Sequence, residues 1–191
     1  MIRCGGIRRV LVVGFLLLAP AYIGFAFAQA PAARGRGAAP PAAQQQQPRV
    51  YANMLEVMRG ILYPASNVIF TAQFDDLATF KPSEHTSTSS DPFTSAYGQW
   101  AAVENSGMAL AEAANLLILP RMCGNGKPAP IQNADWQRWV QELRDAGLAV
   151  YKVGQTKDSD KILEVADTLA TACLHCHAKY RNVPGGIPNR C

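Results

Sequence analysis

Histidine is scarce in this sequence, with three in 191 residues, and cysteine little commoner at five. A structural zinc site needs a second ligand pair, and no such pair is spaced for it. Alternation of apolar and polar residues is absent throughout, which argues against strands and against the βαβ surroundings of a thioredoxin-like dithiol. No internal repeat occurs. The glycines of residues 121–130 have neither the spacing nor the preceding strand of a phosphate-binding loop. Beyond the first 28 residues no apolar run reaches membrane-spanning length.

Net charge is also nearly lacking once the N-terminus is considered. Arg3, Arg8 and Arg9 precede an apolar run from Val10 to Phe27 that ends in Ala26-Phe27-Ala28. This pattern identifies residues 1–28 as a secretory signal peptide, with Ala28-Gln29-Ala30 as a second cleavage point and retention as an anchor the minority reading. Cys4 lies before the apolar run, where it is no lipoprotein acceptor. Cleavage takes three arginines from eighteen basic residues and leaves fifteen against fourteen acidic ones, so the formal +4 falls to +1. Such a chain has no electrostatic case for nucleic acid. The expected location is the periplasm, with no membrane association after signal cleavage.

Residues 29–48 are Ala, Pro, Gly, Arg and Gln, with little to bury, and read as a disordered linker. The domain is assigned to residues 49–191. Its organising feature is Cys173-Leu174-His175-Cys176-His177, the C-x-x-C-H pattern of covalent haem attachment. Two thiols three positions apart reach the two vinyl groups on one edge of a haem, and the adjacent imidazole of His177 turns under the ring to ligate iron. One haem c consumes Cys173 and Cys176. The remaining mature cysteines, Cys123 and Cys191, are either a disulfide closing a 68-residue separation or two free thiols, and an oxidising compartment favours the disulfide.

Helical periodicity predicts four helices. The first spans about 50–73, with Tyr51, Met54, Leu55, Met58 and Leu62 on one stripe and a kink or break near Tyr63 caused by Pro64. A polar loop over 74–92 holds His85, read as a surface residue over an iron ligand. The second helix spans about 95–119, with Gly107 mid-stripe, either for close approach of a haem or helix or merely tolerated. The third opens at Asn133 as N-cap, with Asp135 complementing the dipole and Trp136, Trp139, Val140, Leu143, Val150 and Tyr151 along a seam. The fourth starts near Ser159 or Asp160. From Ile162 its apolar stripe runs through Val165, Ala166, Leu169, Cys173, Cys176, His177 and Tyr180, which sets the haem-attachment residues on the core face and His175 off it.

A C-x-x-C-H motif on the last of four helices, with Tyr180 and Arg181 three and four positions after His177, resembles the class II cytochromes c, the cytochrome c-prime group. The resemblance is specific over 173–181 and architectural over 50–181. It implies an all-α fold, an antiparallel four-helix bundle with covalently bound haem c, His177 as fifth iron ligand and Arg181 on the proximal side beside Tyr180. It also implies that the first helix faces the distal side of the haem, so the sixth ligand is Met58, with Met54 as the alternative, or no residue. Pro64, the long loop and the Cys123/Cys191 pair depart from the family pattern.

The expected function is electron transfer by a periplasmic cytochrome, not an enzyme, with transient redox-protein partners and His/Met-ligated iron; a homodimer is compatible with it. The alternative is a five-coordinate haem protein that binds or senses nitric oxide or carbon monoxide. A peroxidase is a weaker third reading, because no distal His or Arg constellation can be assigned.

Overall fold

The computed structural model describes residues 48–191, so the signal peptide expected over 1–28 and all but the last residue of the linker lie outside the described residues. Among the described residues the architecture is all-helical, with no strands, and no helix is long and apolar enough to cross a membrane.

The first helical rod begins later than periodicity suggests. Asn53 caps α1 (Met54–Val57) in a reciprocal capping box: its side chain accepts from the Glu56 amide at 3.0 Å, and the Glu56 carboxylate accepts from the Asn53 amide at 2.7 Å. The preceding residues are held by the middle of the chain instead. Arg121 Nη1 donates to the Ala52 carbonyl at 3.0 Å, and the Met54 amide donates to the Met122 carbonyl at 2.8 Å.

Pro64 does not break the rod. A π-helical turn, Met58–Leu62, leads directly into α2 (Tyr63–Ala72), and the Tyr63 amide donates to the Met58 carbonyl five residues back. The wider turn sits just ahead of the proline, which occupies the first turn of α2, where a missing amide donor costs little.

Residues 73–99 form the long connection, and the next helix starts at Trp100 instead of Ser95. Ser and Asp side chains here bond their own backbone: Ser95 Oγ donates to the Pro92 carbonyl and accepts from the Tyr97 amide, which competes with helix formation. Gly98 sits so tightly that a Cβ would lie 2.1 Å from the Phe93 carbonyl oxygen. The loop is nevertheless anchored, with Leu77 and Phe93 buried and Phe80 stacked on Phe93 at 4.8 Å. His85 is exposed in it.

α3 (Trp100–Ala113) tightens into a 3-10 turn over Ala114–Ile118 before Pro120. α4 (Ala134–Thr156) buries the seam of Trp136, Val140, Leu143, Ala146, Gly147 and Val150, and the Trp136 indole donates to the Leu117 carbonyl at 3.0 Å. After a 3-10 turn, Ser159–Lys161, capped by Asp158, α5 (Ile162–Tyr180) buries Ile162, Val165, Ala166 and Leu169 as its stripe requires. α3 lies along α4, α4 along α5, α2 on α3, and α2 also meets α5. Gly154 packs on Glu104 and Gly147 on Ala111, so α3 and α4 run in opposite directions. Ile69, Val103, Leu110, Val150 and Leu169 form the driest part of the core.

Candidate functional site

The last two turns of α5 carry Cys173, Cys176 and His177 on one helix face, at i, i+3 and i+4. They border a cavity of about 450 Å³, within the range of small-molecule and cofactor sites. The rod contributes Met54, Met58, Leu62 and Phe70 to its wall; α3 and its 3-10 extension contribute Leu110 and Leu117; α4 contributes Trp136, Trp139, Val140 and Leu143. Every element of the core therefore reaches this space, and its lining is predominantly apolar.

Burial sets the protonation of the three motif residues. The Cys173 thiol is raised by desolvation, opposed by the Arg181 charge, and Cys176 is pushed up to about 12 by desolvation with help from Cys173 and Asp135. Both are free thiols. A reactive dithiol needs a lowered thiol pKa, so these surroundings are wrong for thioredoxin-like exchange. His177 moves the other way, down to about 4, because burial and then Arg181 disfavour its cation. The neutral imidazole is the metal-ligating form.

Tyr180 and Arg181 occupy different environments. The Tyr180 hydroxyl donates to Asp135 Oδ1 at 2.9 Å and accepts from Asn133 Nδ2 at 3.2 Å, and its ring meets Trp136 and Trp139 edge-on at 5.0 and 5.9 Å. Asn133 sits at the N-cap position of α4 as expected, yet its side chain makes no capping bond; it is drawn to α5 instead. The Asp135 carboxyl is held below its usual range, chiefly by its bond to Lys179. Arg181 lines the cavity, and its Nε donates to Asn182 Oδ1 at 3.0 Å.

Met54 and Met58 both border the cavity, and so do Arg59 and Asn67, whereas Gln73 lies outside it and donates to the Phe70 carbonyl. His175 points away from the cavity, exposed, with Nδ1 2.6 Å from Glu142 Oε2. His85 is also absent from the wall. Among the described residues no three His, Cys, Asp or Glu side chains cluster as a metal-ion site.

Cys123 and Cys191 stand at disulfide-bonding distance, their Cα atoms 4.5 Å apart. The consequence for the site escaped sequence reasoning: residues 182–191 fold back so that Arg190 and Cys191 become part of the cavity wall. A tail that must bring Cys191 to Cys123 was the signal available. No protein-family model, no curated protein and no solved structure matches this chain.

Proposed function

We propose that this protein is an exported monohaem c-type cytochrome that transfers electrons, an antiparallel four-helix bundle with one haem c attached through Cys173 and Cys176 and bound axially by His177. One observation carries the reading: two free thiols, a neutral imidazole and two methionines border a single apolar cavity. The residues present fit the group. The cavity has cofactor dimensions, the thiols are not bonded to each other, and the buried Arg190 Nε on the wall has no acceptor among the described residues.

When bound, haem supplies one-electron chemistry at iron. The chain supplies orientation, a ligand field and a dry surrounding. His177 presents its nitrogen from the rigid end of α5, and the Tyr180–Asp135 bond fixes that end against α4. Trp136, Leu143 and Phe70 exclude water and disfavour the more highly charged oxidation state. Met58 is the better-supported sixth ligand. Solvent-accessible surface includes cavity walls, yet Met54 is only 1% accessible and packs as core, whereas Met58 is half-buried and keeps surface to offer. The partners are periplasmic redox proteins that dock transiently.

A five-coordinate haem protein that binds nitric oxide or carbon monoxide is the second reading. It draws on the apolar character of the rod's wall, where Met54 serves as filler beside Leu62 and Phe70. The deciding measurement is made on the full chain matured with a haem-attachment system. Its mass should rise by one haem, and the oxidised protein should show the far-red methionine-to-iron charge-transfer band. A high-spin spectrum that changes at once with nitric oxide or carbon monoxide sinks the six-coordinate reading, and a chain without covalent haem sinks both.

A further inference from the structure

The cavity is unbalanced in charge. Arg59 from the π-turn, Arg181 after α5 and Arg190 in the tail all border it, and none of the described side chains lining it is acidic. A guanidinium nitrogen gives up hydration only against hydrogen-bond acceptors, so a buried one on this wall calls for a ligand with anionic oxygens. The three arginines are not equivalent. Arg59 and Arg181 are exposed, and Arg181 is already bonded to Asn182. Arg190 Nε is buried and has no partner among the described residues.

The tail fixes that position from both sides. Gly185 and Gly186 take φ of 87° and 69°, which glycine adopts without strain, and turn the chain back after α5. Asn189 Nδ2 then donates to the Pro184 carbonyl at 2.8 Å, and the Cys191 amide donates to the Tyr180 carbonyl at 2.9 Å. Cys191 pairs with Cys123, whose own amide is bonded to the Lys127 carbonyl at 2.7 Å. Arg190 is thus held by a hydrogen bond and a cross-link at the very next residue.

From this we infer that Arg190 is a carboxylate-binding residue of the cavity, positioned by the Cys123–Cys191 link, and that the group it takes is a propionate of the haem proposed above, on which the inference rests. The assignment lies in the tail, outside the segment that carries the haem-attachment motif. It gives the cross-link a role in the site in addition to any role in stability.

The test is the reduction potential of the haem-loaded full chain as a function of pH, for the unaltered protein and for Arg190→Gln, Arg190→Lys and Cys191→Ser. The other titratable or charged groups facing this space are Arg59 and Tyr63 on the rod, Cys173, Cys176, His177, Tyr180 and Arg181 on or next to α5, and the α-carboxylate of Cys191; Asp135 stands behind Tyr180. None of these is altered in the variants. Loss of an adjacent cation should raise the pH at which the propionate ionises by about one to three units. The potential of Arg190→Gln should therefore fall with rising pH across an interval where the unaltered protein is flat, because an ionised propionate favours the ferric state. Cys191→Ser should reproduce that slope. Arg190→Lys, which keeps charge and stem but not the fork, should fall between and serves if the glutamine variant does not fold. Haem-loaded variants whose profiles superimpose on the unaltered protein overturn the assignment and leave the cytochrome reading standing. Failure of the unaltered chain to acquire haem overturns both.

Discussion

Gly107 on α3 faces Gly147 on α4 so closely that a Cβ built at Gly107 would lie 2.9 Å from the Gly147 carbonyl oxygen and 2.5 Å from the Tyr151 amide nitrogen. The mid-stripe glycine therefore serves helix–helix approach. Gly60, in the π-turn, has nothing within 4 Å of the same construction. Gly107→Ala should cost about 1–3 kcal/mol through overpacking, outweighing its gain in helix propensity. Gly60→Ala should stabilise by about 0.5–1 kcal/mol. Urea denaturation of the two variants checks the contrast, and equal effects would contradict it.

If the proposed haem is bound, the two methionines should separate by readout. Met54→Ala removes a fully buried side chain and should cost about 2–5 kcal/mol while the far-red charge-transfer band survives. Met58→Ala should abolish the band at a smaller cost in stability. A band lost in Met54→Ala and kept in Met58→Ala would reverse the ligand assignment.

Cross-linking Cys123 to Cys191 closes a separation of 68 residues. On the chain-entropy account, removing it should lower stability by up to about 4 kcal/mol. Cys123→Ser measured by thermal unfolding in oxidising buffer gives the figure. A reductant should lower the unaltered protein's midpoint by the same amount and leave the variant's unmoved.

Without haem, His177 makes the fold sensitive to acid. Its folded pKa of about 4 lies below the ordinary 6.5, so the unfolded chain binds the proton more tightly. Stability contributed by the neutral ring is complete above about pH 6.5 and declines as pH falls toward 4, below which it falls no further. A shift of this size bounds the effect at about 3 kcal/mol, and partial exposure of the ring reduces it to about 1–2 kcal/mol. A chain prevented from attaching haem by Cys173→Ala and Cys176→Ala should show this decline in denaturant titrations, and adding His177→Gln should flatten it.

Much of this architecture was legible in residue order because it depends on local spacing. A period of 3.6 is a property of consecutive residues, so Ile162, Val165, Ala166 and Leu169 of the stripe, and Trp136, Val140, Leu143 and Val150 of the seam, are buried where periodicity sets them, while Cys173, Cys176, His177 and Tyr180 are half-buried at the cavity. Helix starts were less legible. Periodicity carries the first helix back past the capping box at Asn53, and it carries the second back to Ser95, where local side-chain bonds to Pro92 and Tyr97 compete with the helix.

The sequence alone determined the helical class and the placing of Cys173, Cys176 and His177 together on an apolar face, since both follow from which residues stand three and four apart. Tertiary structure decided what meets across the chain. It directed Asn133 and Asp135 to Tyr180, and brought Arg190 beside the motif through Cys191. The bonds of Asn133 and Asp135 to Tyr180 and the Cys123–Cys191 link join residues 45 to 68 positions apart along the chain, where no local period or propensity acts and only the packing of helices selects the partner.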